Sequence, residues 1–185
     1  MRENIRQAIH LLFGLGIAAL VLILDRATAA AIIGTGLLSG VVLIDLVCRG
    51  YKIPVISPLL SYADRCDPLP GRGALFFAVS ALVCIILFPQ IVVVPALVAL
   101  SVLDSVSTVA GRRWGRHRIH NGKSWEGTIA GILVTAVVLL PFLSPPLSLV
   151  SAILAGMIEL FSPVDDNLLI PPAVCIFLTI VPLVT

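Results

Sequence analysis

The chain has 185 residues, 59% of them hydrophobic and 12% charged, with a mean hydropathy of +1.12. Soluble domains carry about 25% charged residues, so this composition excludes an ordinary soluble fold and reads as an integral membrane protein. The net charge of +2 says little, because where the charges fall matters more than their sum; no nucleic-acid partner is expected.

At the N-terminus, Arg2, Arg6, an apolar run from Leu11 to Leu24 and Ala27-Thr28-Ala29 have the outline of a secretory leader. Asp25 and Arg26 interrupt where a cleavage site needs an uncharged approach, and a second apolar run follows at once, so the segment reads as a retained span. Apolar runs at roughly 8–24, 27–48, 74–89, 91–111, 127–143, 146–161 and 168–184 each read as a membrane-crossing helix. The expected fold class is all-α: one domain over residues 1–185, a polytopic membrane bundle of about seven transmembrane helices. Several runs fall short of the ~20 residues that cross a ~30 Å hydrocarbon core, which suggests tilted or partly re-entrant elements beside a polar cavity. Pro54, Pro58, Pro68 and Pro70 keep 49–73 out of regular helix. Pro145 with Pro146 marks a turn, and Pro171 with Pro172 a span entry. Cys48, Cys66, Cys84 and Cys175 form no CxxC pair and no zinc spacing, and read as buried structural thiols.

The loops orient the chain. With the N-terminus in the cytoplasm, the inside segments hold Arg2, Arg6, Arg49, Lys52, Arg65, Arg72, Arg112, Arg113, Arg116, Arg118 and Lys123, leaving only Arg26 of the 12 basic residues outside. The carboxylates gather on the same side. Asp45 and Glu159 fall near the cytoplasmic ends of the second and sixth spans, and Asp104 about two turns before the arginine cluster. Glu126, Asp165 and Asp166 are expected in cytoplasmic loops. A carboxylate within a span costs about 3 kcal/mol and normally faces partners or a cavity, so the functional site is expected at that end.

Three clusters there could carry chemistry. The fourth span ends with Ser101, Asp104, Ser105, Thr108 and Gly111 on one narrow polar face, followed by Arg112, Arg113, Arg116 and Arg118 among Gly111, Gly115 and Gly122. These arginines suit either anionic headgroups or phosphate, and the glycines allow close backbone approach. His117 and His120 read as loop residues. Next, Gly122-Lys123-Ser124 has the ending of a P-loop, but that pattern requires glycine where His117 stands, and a preceding buried strand. Lys123 still supplies a cation, Ser124 can cap the next helix, and that helix presents free N–H groups to an anion. Gly127-x-x-x-Gly131, taken by itself, reads first as a close helix-packing motif. Finally, Asp165-Asp166-Asn167 is either a turn or a set of oxygens suited to Mg²⁺.

Taken in order, Asp104…Gly111-Arg112-x-x-Gly115-Arg116…Lys123-Ser124-x-Glu126-Gly127-Thr128-x-Ala130-Gly131 and Glu159…Asp165-Asp166-Asn167-x-x-Ile170-Pro171 resemble the polyprenol kinase family, which includes dolichol kinase, phytol kinase and the CTP-dependent diacylglycerol kinase. The Arg6-x-x-x-His10-x-x-x-Gly14 opening is similar as well. The resemblance covers essentially the whole chain. It departs at Leu103, where the family often has glycine, and at Gln7, where it has a second basic residue.

The resemblance implies a multi-pass enzyme that phosphorylates a lipid alcohol, dolichol or another polyprenol first, with phytol and diacylglycerol also in view. It implies CTP as donor, Mg²⁺ as cofactor and a cytoplasmic site. Lys123 with Arg112 or Arg116 would hold phosphate oxygens, aided by Ser124, Gly127 and the helix N-terminus. Asp104 and Asp166 with Asn167 would hold the metal, Glu126 or Asp165 would accept the hydroxyl proton, and Arg6 and His10 would meet the lipid headgroup. Two alternatives stand beside this: a membrane cytidylyltransferase making a CDP-lipid, and a transporter or lipid-binding scaffold without turnover.

Overall fold

The computed structural model describes residues 2–51, 54, 71–119 and 123–181. Among them run seven α-helices and no strand: α1 Arg2–Ile23, α2 Arg26–Cys48, α3 Arg72–Leu87, α4 Gln90–Trp114, α5 Trp125–Leu139, α6 Pro145–Phe161 and α7 Asp166–Ile180. Each matches one of the apolar runs. By length and composition α1, α2 and α4 are able to cross a membrane, with 21, 23 and 25 residues in the candidate spans. The other four have 15 to 17 residues, or about 22–26 Å at 1.5 Å per residue.

Local chemistry sets the helix boundaries. Asp25 caps α2 by accepting from the Thr28 N–H at 3.0 Å, which makes Leu24–Asp25 a tight corner between the first two helices. Gly71 precedes α3 with φ of 72°, a left-handed conformation that suits glycine. Ser124 caps α5 through the Gly127 N–H at 3.2 Å, and Asp165 caps α7 through that of Asn167. These caps correct the expectation that Glu126 and Asp166 lie in loops. Both stand in first helical turns, where a carboxylate meets the positive end of the helix dipole.

Two further expectations are corrected. Pro171 and Pro172 lie inside α7, not at its entry. Pro172 cannot donate to the carbonyl of Leu168, and Ser80 on α3 donates to that oxygen at 3.1 Å instead. Of the thiols, Cys84 and Cys175 are buried, but Cys48 is exposed because it closes the end of the outlying α2; Cys66 lies outside the described residues.

The core is built around α4, from Val92 to Leu103 buried almost without interruption. It packs chiefly against α5 and α1, then α7, while α6 closes on α5 and α7. Contact with α5 is backbone to backbone: a Cβ on Gly127 would stand 2.8 Å from Gly111 Cα and 2.9 Å from Gly111 N. At the crossing with α1, a Cβ on Gly14 would lie 2.9 Å from that of Ser101. Gln90 ties the far end of α1 by donating to the carbonyls of Val21 and Leu24 at 2.9 and 2.7 Å. Outside this core the helices carry Leu12, Ile23, Leu38, Leu133 and Ile180 in exposed positions. So much apolar surface suits hydrocarbon better than water.

Candidate functional site

One end of the bundle gathers the beginnings of α1, α3, α5 and α7 and the ends of α4 and α6. Asp104 sits on the inner face of α4, and His10 of α1 approaches it, with Nε2 3.4 Å from Asp104 Oδ2. Glu159, in the last turn of α6, has a fully buried side chain, and Ser107 of α4 donates to its Oε1. Asp166 opens α7. Lys123 enters from the segment before α5 and donates to Glu159 Oε1 at 3.1 Å and to Asp166 Oδ2.

A short hairpin delivers that lysine. Arg118 and Ser124 form an isolated antiparallel bridge, the Ile119 N–H donates to the Lys123 carbonyl at 2.7 Å, and the Trp125 N–H to that of His117. Glu126 clamps the base of the hairpin: its carboxylate accepts the His117 backbone N–H at 3.2 Å and meets His117 Nδ1 at 2.7 Å. Gly122 and His120 lie outside the described residues. Among the described residues no strand precedes α5, unlike a P-loop.

The electrostatics of the cleft follow from this crowding. One oxygen from each of Asp104, Glu159 and Asp166 lies within 4.8 Å of the others. Like charges at that spacing repel by about 3 kcal/mol per pair at an effective dielectric of ~20, so the cluster calls for positive charge. Lys123 supplies it. Burial alone would lower the Lys123 pKa, but Glu159 and Asp166 outweigh it and hold the ammonium above its ordinary value.

Two oxygens in this region accept nothing: Glu159 Oε2 and Asn167 Oδ1 are buried without a hydrogen-bond partner. Carboxylates plus a free amide oxygen form an all-oxygen set, the donor chemistry of a hard divalent cation. Opposed oxygens on Mg²⁺ stand about 4.2 Å apart at bond lengths of ~2.1 Å. A cluster spread over no more than 4.8 Å needs only a small contraction to hold it. Lys123, Glu159, Ser162, Pro163, Val164, Asp165 and Asp166 line an open cavity of about 200 Å³. That is below the ~300–1,000 Å³ of whole small-molecule sites, leaving room for a phosphate group and a hydrated ion.

The structure therefore brings Asp104, Lys123, Asp165, Asp166, Asn167 and His10 to one cleft. Asp165 accepts from Asn167 Nδ2 at 2.9 Å and pairs with Arg72 at 3.8 Å. Arg6 and Arg112 both pair with Glu3, Arg112 at 3.6 Å. Arg116 is exposed in the loop beyond α4, Glu126 is engaged by His117, and Ser124 and Gly127 are buried in the α4–α5 contact. Two contributors were not among the expected site residues, Glu159 and Ser107. A carboxylate inside an apolar helix was the signal for Glu159; Ser107 had none.

These features define a class: an all-helical protein, with three helices able to cross a membrane, that holds a lysine among three carboxylates at one end. Over 176 residues, 92% of this chain and 90% of the relative, it is 35% identical to the uncharacterised protein MJ1137 of Methanocaldococcus jannaschii, and it belongs to that protein's family. It is also 30% identical over 117 residues to the phytol kinase of a Synechocystis species, covering 59% of this chain and 48% of that enzyme. No family model and no solved structure matches the chain.

Proposed function

We propose that the protein is a membrane lipid kinase that transfers the γ-phosphate of CTP to a lipid alcohol, a polyprenol such as dolichol first, with phytol and diacylglycerol as further acceptors. The observation that carries this reading is the lysine set against three carboxylates beside a phosphate-sized cavity. The partial likeness to a phytol kinase supports it.

Phosphoryl transfer depends chiefly on positioning and on balancing charge. Lys123 is the cation for the phosphate oxygens, with Arg112 or Arg116 reaching from the end of α4 and the α5 N-terminus behind it. Asp104, Asp166 and Asn167, joined by Glu159, are the oxygens for Mg²⁺, which when bound supplies Lewis-acid neutralisation of the phosphates. Asp165 lines the cavity, which favours it over Glu126 as acceptor of the hydroxyl proton. The lipid oxygen bonds to the γ-phosphorus, the bond from that phosphorus to the bridging oxygen breaks, and CDP leaves. His10 and Arg6, at the start of α1, face the lipid headgroup. In this reading all seven helices cross the bilayer, with the N-terminus and the site in the cytoplasm.

The experiment supplies purified protein with Mg²⁺, CTP labelled at the α or the γ phosphate, and polyprenols, phytol, diacylglycerol and phosphatidate. Transfer only from the γ position is expected, and the accepting alcohol names the substrate. Transfer from the α position would replace this reading with a cytidylyltransferase, whose chemistry also uses clustered carboxylates and Mg²⁺. Transfer from neither, with an ATP control also blank, would favour a transporter or scaffold.

A further inference from the structure

We infer that the Lys123 ammonium and a divalent cation are alternative occupants of one site, so that a cation enters the carboxylate cluster only as Lys123 leaves it. Three observations carry this. Lys123 Nζ contacts two of the three clustered carboxylates, at 3.1 Å from Glu159 Oε1 and in direct contact with Asp166 Oδ2. The cluster oxygens lie within 4.8 Å of one another, so one small cation fills the space they enclose. Glu159, only 4% exposed, still has Oε2 unpartnered, and neighbouring Asn167 has Oδ1 unpartnered. A single ammonium has three donors and leaves these oxygens unmet, whereas a divalent ion binds six or more.

Ammonium and metal ion cannot share that space, because two cations so close together repel strongly. Lys123 stands on the hairpin rather than inside the bundle, and its flexible stem gives it somewhere to go. The exchange ties metal entry to the arrival of an anion able to receive the displaced ammonium. It rests on the kinase reading only for the identity of that anion, a nucleotide phosphate. In the nucleotide-free protein, Lys123 holds the cluster together and keeps stray divalent ions out.

The test needs neither nucleotide nor turnover. Mn²⁺ binding to the purified full chain in detergent is measured by the loss of the free-ion electron paramagnetic resonance signal. Lys123→Met should bind Mn²⁺ about tenfold more tightly than the wild type, or better, a change of ~1.4 kcal/mol. Lys123→Arg, which keeps the charge, should bind like the wild type. Glu159→Gln in the Lys123→Met background should reverse the gain. If Lys123→Met binds no better than the wild type, or neither binds at all, the inference fails. Wild-type protein provides a second measurement in case the variant misfolds: amine labelling of Lys123, followed by mass spectrometry, should rise as Mn²⁺ saturates the protein. Bound Mn²⁺ with unchanged labelling would overturn the exchange. The kinase reading stands or falls separately, on the fate of the γ label.

Discussion

At Lys123 one ammonium answers Glu159 at 3.1 Å and Asp166 in direct contact, with Asp104 alongside. Truncation to alanine removes the ammonium that contacts two of the three carboxylates. Lys123→Ala should therefore lower phosphoryl transfer at least ~100-fold, the scale of losing one preorganised electrostatic partner, while membrane insertion stays intact. Retained transfer in the γ-label assay would take Lys123 out of the site. The same contacts fix a pH dependence. Because its carboxylate partners hold the folded Lys123 above its ordinary pKa, its stabilisation is full below the unfolded value of about 10.4. It is lost as pH rises through the higher folded value. Thermal midpoints of wild type and Lys123→Met should stay apart at pH 7–10 and converge at higher pH. A gap that persists unchanged would mean that Lys123 acts through packing alone.

At the scale of the elements, the site depends on how α5 begins. Ser124 caps that helix and is buried against α4, where Gly111 and Gly127 let the two backbones touch. Ser124→Ala should cost about 1 kcal/mol through the lost cap. Gly127→Ala should cost about 1–3 kcal/mol, since its Cβ would be driven into Gly111 and the α4 backbone. Both are measurable as lowered midpoints in detergent, and an unchanged midpoint for Gly127→Ala would contradict the close approach. The Ser124 cap and the positions of all seven helices were legible in the sequence, because local chemistry and apolar runs determine them. The course of α7 through Pro171 and Pro172 was not: the proton that replaces the missing N–H comes from Ser80, 88 residues from its acceptor Leu168. Nor was the pairing of Glu126 with His117, which arises only when the hairpin folds. Asp104 and Glu159 were each legible as carboxylates in apolar helices. Their meeting, with Lys123 between, needed α6 packed beside α4.

At the scale of the molecule, each described helix runs between the same two ends. The site end holds Arg6, Arg72, Arg112, Lys123, Glu159 and Asp166, while the opposite end holds the corner at Asp25–Arg26, where Arg26 donates to the Ile86 carbonyl, and the tie from Gln90 to α1. The four short helices reach about 22–26 Å, below a hydrocarbon core of ~30 Å, whereas α1, α2 and α4 exceed it. Seven crossings demand that this end-to-end alternation be an alternation of membrane face. The decisive interval lies between Arg26 and Arg116, which among the described helices are separated by α2, α3 and α4. Three crossings place the two positions on opposite faces, whereas a re-entrant helix among them would put both on the same face. With Cys48 and Cys66 changed to serine, cysteine introduced at Arg116 should react with a membrane-impermeant maleimide only from the cytoplasmic side, and at Arg26 only from the other. Reaction of both from one side would overturn three crossings between them and make α3, one of the short helices, the first to test as a segment that enters and returns. The lipid hydroxyl would then have to reach the carboxylates by a different approach.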